Sequence, residues 1–143
     1  MSRGIHIGKE VLNLSNKIKR SIGKEASKYG ITSVQGRILG FIYHQSSKKD
    51  IFQKDIEEEL DIRRSSVTSV LQLMEKNGYI KRESVSEDAR LKKLILTEKG
   101  LEIQQIVHSS ILEIEESLHE ELSDEEIDTL VNLIHRLSKK IAD

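Results

Sequence analysis

The irregular spacing of apolar residues between positions 53 and 74 restricts the fold more than any other feature of this chain. Successive apolar positions are 4, 2, 5 and 3 residues apart: Ile56, Leu60, Ile62, Val67 and Val70. Steps of 3 and 4 keep side chains on one helical face, whereas steps of 2 and 5 interrupt that face. The pattern therefore predicts a helix-turn-helix, in which two short helices share one buried side across a tight turn.

The second of these helices, predicted from Arg64 to Asn77, combines an apolar face with a polar face that carries no carboxylate between Ser65 and Gln72. A polar face usually meets water, but hydroxyl and amide side chains also suit the base edges of a DNA groove. The candidates for contacts to bases are Ser65, Ser66, Thr68, Ser69 and Gln72. Arg63 and Arg64, at the positive end of the helix dipole, are candidates for phosphate or base.

A basic hairpin is predicted directly after this helix. Gly78 suits the left-handed conformation that ends many helices, and two extended runs follow at 79–85 and 94–97. The eight residues between them, 86–93, have no apolar periodicity and are expected to form an exposed tip. Residues 62–93 contain eight basic and four acidic side chains, so this segment is positive.

The charge of the chain is unevenly distributed, although the formal net charge is only −1. Residues 1–30 carry a charge of +5 and residues 101–143 carry −8. Because salt screens charges beyond about 10 Å, a basic segment can face DNA while an acidic segment faces away. The net charge is therefore a poor test of nucleic-acid binding.

Long helices are predicted at both ends of the chain. The first carries an apolar stripe from Ile7 to Ile22, and two more follow Thr97, the last of them after a capping box at Ser123. A further capping box at Thr32 begins a helix with Gly36 and Gly40 one turn apart, which suggests close helix packing. Since the outer stripes have no large sheet to cover them, we expect a second copy to do so in a homodimer.

Several function classes find no support in the sequence. There is no cysteine, so disulfides and thiolate metal sites are excluded. The five histidines lack metal-ligand spacing, and no metal or other cofactor is expected. Nucleophile elbows, phosphate loops and HExxH motifs are missing, which argues against an enzyme. Without a long apolar run or a signal-peptide block, the chain is expected in the cytoplasm, away from membranes.

The hairpin carries the residues by which the chain resembles a known family. Asp88-Ala89-Arg90-Leu91-Lys92, followed by Leu96-Thr97-Glu98-Lys99-Gly100, resembles the wing and exit of the MarR family of winged-helix transcription regulators. The resemblance implies a mainly α fold with a small β-hairpin wing (α+β). It also implies one domain over 1–143, with dimerisation helices at 1–30 and 101–143 around a winged helix-turn-helix at 31–100.

The resemblance also implies how DNA is bound. The helix before the wing would enter the major groove, Arg90 would reach the adjacent minor groove, and Asp88 would help to fix the wing. A charged turn is more often simply solvated, but a narrow minor groove attracts an inserted arginine. Lys92 and Lys93 extend the basic wing, and Lys81 and Arg82 at its base are expected to touch phosphate. Two-fold symmetry predicts a pseudopalindromic operator with half-sites about 34 to 36 Å apart.

Regulation is implied by the resemblance alone. Such proteins are commonly repressors, here of a resistance, efflux or stress operon, that a small aromatic or amphiphilic ligand releases. The helices expected to line the ligand pocket carry Val11, Ser15, Phe41, Tyr43 and His44. The alternative is an interaction module, an anti-regulator whose acidic C-terminal surface binds another protein and which has no operator of its own.

Overall fold

A computed structural model describes residues 4–85 and 88–141, with only the backbone given for residues 88 and 89. The described residues form helices and one antiparallel hairpin, so the predicted mainly α fold with a small β-hairpin is confirmed. The elements in chain order are α1 (Ile7–Ala26), α2 (Ser33–Gln45), α3 (Gln53–Leu60), α4 (Arg64–Lys76), β1 (Ile80–Val85), β2 (Asp88–Leu96), α5 (Glu98–Glu121) and α6 (Asp124–Lys140). A 3₁₀ turn, Ser27–Tyr29, follows α1.

The chain divides into two compact units, Met1–Ser110 and Ile111–Asp143. The first unit contains an aliphatic core drawn from α2, α3, α4 and the hairpin. Its fully buried side chains include Ile38, Leu39, Ile42, Ile56, Leu71, Met74, Ile80 and Leu94. Burial of this apolar surface is the main force that joins the helix-turn-helix to the hairpin.

Helix α2 begins at the predicted capping box. The Gln35 amide donates to Thr32 Oγ1 at 3.2 Å, and the Thr32 amide donates to Gln35 Oε1 at 2.9 Å. A Cβ at Gly36 would lie 3.1 Å from Val107 Cγ1, so α5 packs closely here, as predicted. The same prediction for Gly40 is wrong, because no described atom lies within 4 Å of its Cβ position. The spacing of two glycines along a helix does not show whether another helix packs against either of them.

The turn between α3 and α4 has the tight geometry that the apolar spacing predicted. Asp61 adopts a left-handed conformation with φ of 50°, and it is the one described non-glycine residue with positive φ. The Ile62 amide then donates to the Glu57 carbonyl at 3.2 Å, which closes the end of α3. Aspartate tolerates this conformation better than most residues, so the turn forms without glycine.

The end of α4 is held by a cluster at the start of α5, which we call the α4 clamp: Thr97, Lys99 and Gly100. Thr97 Oγ1 donates to the Gly78 carbonyl at 2.5 Å and accepts from the Gly100 amide at 3.0 Å. Lys99 Nζ donates to the Asn77 carbonyl at 2.9 Å. The backbone of Tyr79 occupies the space that a Cβ on Gly100 would need. These contacts hold the residues that end α4 against the start of α5.

The hairpin is longer than the sequence predicted. Strand β2 begins at Asp88 rather than near Leu94, so the prediction of a loop is wrong for residues 88–93, although Arg90, Leu91 and Lys92 are exposed as predicted. Glu83 pairs with Lys93 and Ser84 with Lys92, but Val85 pairs with Asp88, so residues 89–91 lie where the register shifts. The apolar alternation was missing because both faces of this ribbon are polar, and the backbone ladder forms without it.

The second unit contains the end of α5 and all of α6, whose N-terminus has the predicted capping box. The Ser123 amide donates to Glu126 Oε1 at 2.9 Å, and the Glu126 amide donates to Ser123 Oγ at 3.2 Å. None of the residues of α6 is buried, and its apolar side chains Leu130, Val131, Ile134 and Leu137 are 41% to 45% exposed. The helix therefore presents an uncovered apolar stripe.

The capping box predicts an acid-dependent step in stability. The hydrogen bond from the Ser123 amide, with a smaller contribution from its hydroxyl, lowers the pKa of Glu126 from its ordinary value of 4.5. Because the folded-state pKa is depressed, the stabilisation is complete above 4.5 and is lost as the pH falls through the lowered pKa. We expect Glu126→Gln to remove this step from thermal unfolding curves recorded at descending pH, and an NMR titration of Glu126 with an ordinary midpoint would contradict it.

Candidate nucleic-acid interface

An open groove of about 510 Å³ lies between the helix-turn-helix and the hairpin. It is lined by Phe52, Gln53, Lys54, Glu57, Arg64, Arg82, Arg90, Leu91 and Lys92. We call it the cationic groove, because five of these side chains are basic and one is acidic. Positive charge in a concave surface attracts polyanions and raises their local concentration.

Backbone pairing explains why residues far apart in sequence meet in this groove. The Leu94 amide of β2 donates to the Ile51 carbonyl at 2.7 Å. This bond places the segment before α3 beside the hairpin, so Phe52 and Gln53 face the same space as Leu91 and Lys92. The groove thus has α3 and the start of α4 on one side and the hairpin on the other.

The polar face of α4 is accessible beside the groove. Ser65, Ser66, Ser69 and Gln72 are exposed, and Thr68 is half-buried. The Ser69 hydroxyl donates to the Ser65 carbonyl at 3.2 Å. Thr68 Oγ1 accepts from Gln53 Nε2 at 2.7 Å. The face therefore presents short polar side chains, of which Thr68 and Ser69 already form hydrogen bonds within the protein.

Ion pairs link the hairpin to the rest of the first unit. Arg82 Nε lies 3.6 Å from Glu75 Oε1 on α4, and Lys93 Nζ lies 3.8 Å from Asp50 Oδ1. Lys81 pairs within its own strand with Glu83 at 3.3 Å. Pairs this exposed contribute at most about 1 kcal/mol each, so an anionic ligand can compete for these cations at little cost.

Only some of the predicted DNA-binding residues meet in the cationic groove. Arg64, Arg82, Arg90 and Lys92 line it. Arg63 is the exposed N-cap residue of α4, and Lys81 is exposed on β1. The side chain of Asp88, predicted to fix the wing, lies outside the described residues.

Sequence reasoning missed four groove residues on or beside α3 and one on β2. They are Phe52, Gln53, Lys54, Glu57 and Leu91. The position of Gln53 as the first residue of the helix-turn-helix was a usable signal, because that end of α3 faces α4. No sequence pattern marks Leu91, whose place depends on the irregular register of β2.

The residues predicted to line a ligand pocket are distributed over α1 and α2. Val11 is exposed and Ser15 half-buried on α1. Phe41 lines a shallow groove of about 270 Å³ together with residues of α3. The His44 ring lies 5.1 Å from Tyr43 and 5.2 Å from His108 on α5, measured between centroids. The pocket assignment stays a prediction.

Two negative findings concern the described residues alone. Among residues 4–85 and 88–141, no group of three or more His, Asp or Glu side chains is arranged to hold a metal ion. In the same part of the chain, no helix combines the length and apolar character needed to cross a membrane.

Comparison with known proteins shows which family and which regulators this chain resembles. A model of the MarR family matches residues 29–91. The regulator PapX of Escherichia coli is 30% identical over 90 residues, which are 63% of this chain. The chain spans about half the length of the first curated relatives it matches, 54% for PapX and for PrsX. These relatives carry the description of HTH-type transcriptional regulators.

Solved structures extend the likeness over nearly the whole chain. The transcription regulator MarR of Oenococcus oeni superimposes with a TM-score of 0.83 at 27% identity, covering 94% of this chain and 99% of that one. MepR of Staphylococcus aureus in its DNA-binding conformation gives a TM-score of 0.83 at 26% identity, covering 96% and 100%.

The hairpin beside the helix-turn-helix and these structural likenesses define a winged-helix protein. Over residues 29–91 the chain is similar to the MarR family, and its fold resembles that of the Oenococcus oeni regulator MarR. The family and the named relatives are transcription regulators rather than enzymes, in agreement with the sequence prediction.

Proposed function

We propose that this protein is a dimeric regulator of transcription that binds double-stranded DNA through α4 and the wing. The observation that carries the proposal is the cationic groove, where Arg64 of α4, Arg82 of β1 and Arg90 of β2 converge. The exposed polar face of α4 lies beside these cations and suits the major groove. Structures of MepR bound to DNA and of Escherichia coli MarR with operator DNA, whose folds resemble this one, support the proposal.

The homodimer is proposed from the exposed apolar stripes of the terminal helices. In α1, Val11, Leu12 and Leu14 are at least half exposed, and α6 carries the stripe described above. A monomer seldom leaves so much apolar surface in contiguous patches. We therefore assign residues 1–30 and 101–143 to dimerisation and residues 31–100 to DNA binding. Two-fold symmetry then favours a pseudopalindromic operator.

Repression and release by a small molecule form the remaining part of the proposal. A regulator that occupies a promoter blocks transcription by exclusion. A small aromatic or amphiphilic effector would release the protein only if it binds more tightly to a second dimer geometry. In that geometry, the spacing of the two α4 helices would no longer match the operator. Phe41, which is half-buried and lines an open groove on α2, offers such a ligand an apolar contact.

A gel-shift titration against DNA from upstream of its own gene, repeated at rising salt, tests the proposal. We expect affinity to fall by about 10³-fold or more between 50 and 200 mM salt if six to ten phosphates are neutralised by the dimer. Binding to no upstream or neighbouring promoter, with capture of another regulator instead, would favour the interaction module.

A further inference from the structure

The contact between Gln53 and Thr68 bears on how α4 would read DNA. Gln53 is the first residue of α3, and its side chain crosses to α4. Its Nε2 donates to Thr68 Oγ1 at 2.7 Å and reaches the Arg64 carbonyl at 3.5 Å. The amide therefore spans one turn of α4 at the edge of the cationic groove, which Gln53 also lines.

The direction of this hydrogen bond determines whether the Thr68 hydroxyl can still donate a hydrogen bond to another group. A hydroxyl has one proton to donate and two lone pairs that accept. Thr68 accepts from Gln53, and among the described residues its proton has no acceptor. Ser69, its neighbour on α4, shows the reverse arrangement, because its proton is donated to the Ser65 carbonyl. Thr68 is thus held as a donor, while Ser69 retains only lone pairs.

We propose that Gln53 is a positioning residue that holds the Thr68 hydroxyl as a hydrogen-bond donor toward an acceptor atom on DNA. This inference rests on the proposed function and specifies the direction of one hydrogen bond to DNA, with Thr68 of α4 as the donor. Acceptors in the major groove are purine N7, guanine O6 and thymine O4, and phosphate oxygens share the same chemistry. Either source supplies an acceptor for the Thr68 proton, and the experiment below distinguishes them.

The test uses the full chain and an upstream DNA fragment that the wild-type protein binds. Gln53→Glu is the informative variant, because a carboxylate only accepts and so takes the Thr68 proton. Thr68→Val removes the hydroxyl at nearly constant volume. Lys54→Gln is the matched control, since it lowers the charge of the groove by the same amount as Gln53→Glu and leaves the Thr68 contact intact.

We expect Thr68→Val to weaken binding about fivefold, the worth of one hydrogen bond. Gln53→Glu should weaken binding more than Lys54→Gln does. In the Thr68→Val background, Gln53→Glu and Lys54→Gln should weaken binding by the same factor, because no hydroxyl proton remains that the introduced carboxylate could accept. Additive effects of Gln53→Glu and Thr68→Val would show that Gln53 acts independently of Thr68 and would overturn the inference. Circular dichroism melting curves confirm that each variant is folded.

A chemical scan of the DNA supplies a readout that a merely structural role would not change. Single 7-deazapurine, 2-aminopurine and 5-methyl-2-pyrimidinone substitutions remove one N7, guanine O6 or thymine O4 acceptor each, and single methylphosphonates remove one phosphate charge and acceptor. One such substitution should weaken binding of the wild type more than binding of Thr68→Val or Gln53→Glu, and its type identifies the acceptor as a base or a phosphate. If every substitution affects wild type and Thr68→Val alike, the inference fails. Failure of the wild type to bind any DNA would instead contradict the proposed function.

Discussion

Gly100→Ala is expected to destabilise the protein by about 3 kcal/mol or more, at the upper end of the usual cost of overpacking. The added methyl would occupy the position of the Tyr79 backbone, which cannot rotate away as a side chain can. Either α5 or the end of α4 must move, and the Thr97 and Lys99 hydrogen bonds of the α4 clamp would then be distorted. Urea unfolding followed by circular dichroism measures the loss.

Gly40→Ala is the matched control for this prediction. Gly40 also lies within a helix, but no described atom lies within 4 Å of its Cβ position. Alanine there should stabilise the protein by about 0.5 to 1 kcal/mol through helix propensity. Equal stabilities for Gly100→Ala and the wild type would contradict the close approach of α5 to Tyr79.

Arg90→Ala is expected to lower operator affinity by about 10- to 100-fold, the range for an arginine that contacts a base or inserts into a narrow groove. Arg90 lies at the register shift of β2 and lines the cationic groove. The loss should show in fluorescence anisotropy titrations, whereas the sedimentation behaviour of the proposed dimer should not change. Arg90→Lys should recover only part of the affinity, because lysine lacks the planar guanidinium.

Arg136→Ala serves as the charge control for that experiment. It removes one positive charge from α6, outside the residues that line the groove. Its effect on operator affinity should be small, since salt screens charges that do not contact the DNA. If Arg136→Ala and Arg90→Ala weakened binding equally, the wing would have no specific role.

Sequence reasoning was strongest where one physical requirement fixes the residue type. The capping boxes at Thr32 and Ser123 are confirmed by their paired hydrogen bonds, because few residues other than Ser or Thr followed by Gln or Glu can form them. The left-handed Gly78 after α4 is likewise observed, with φ of 82°. The turn at Asp61 formed even without the glycine that the position favours.

Sequence reasoning was weakest where structure depends on residues distant in the chain. The length of β2 could not be predicted, because its polar ladder partners, such as Ser84 and Lys92, leave no apolar alternation. Gln53 and Glu57 line the groove because the Leu94 amide donates to the Ile51 carbonyl, and these two residues are 43 positions apart in the sequence. Local periodicity contains no information about such a bond.

A hydroxyl-radical footprint of the protein on its upstream DNA tests the DNA-binding account most directly. The account predicts two protected segments centred about one helical turn apart, 10 to 10.5 base pairs, each flanked by minor-groove protection that Arg90→Ala removes. Uniform cleavage along every fragment tested, at a protein concentration where the chain is folded and dimeric, would contradict it.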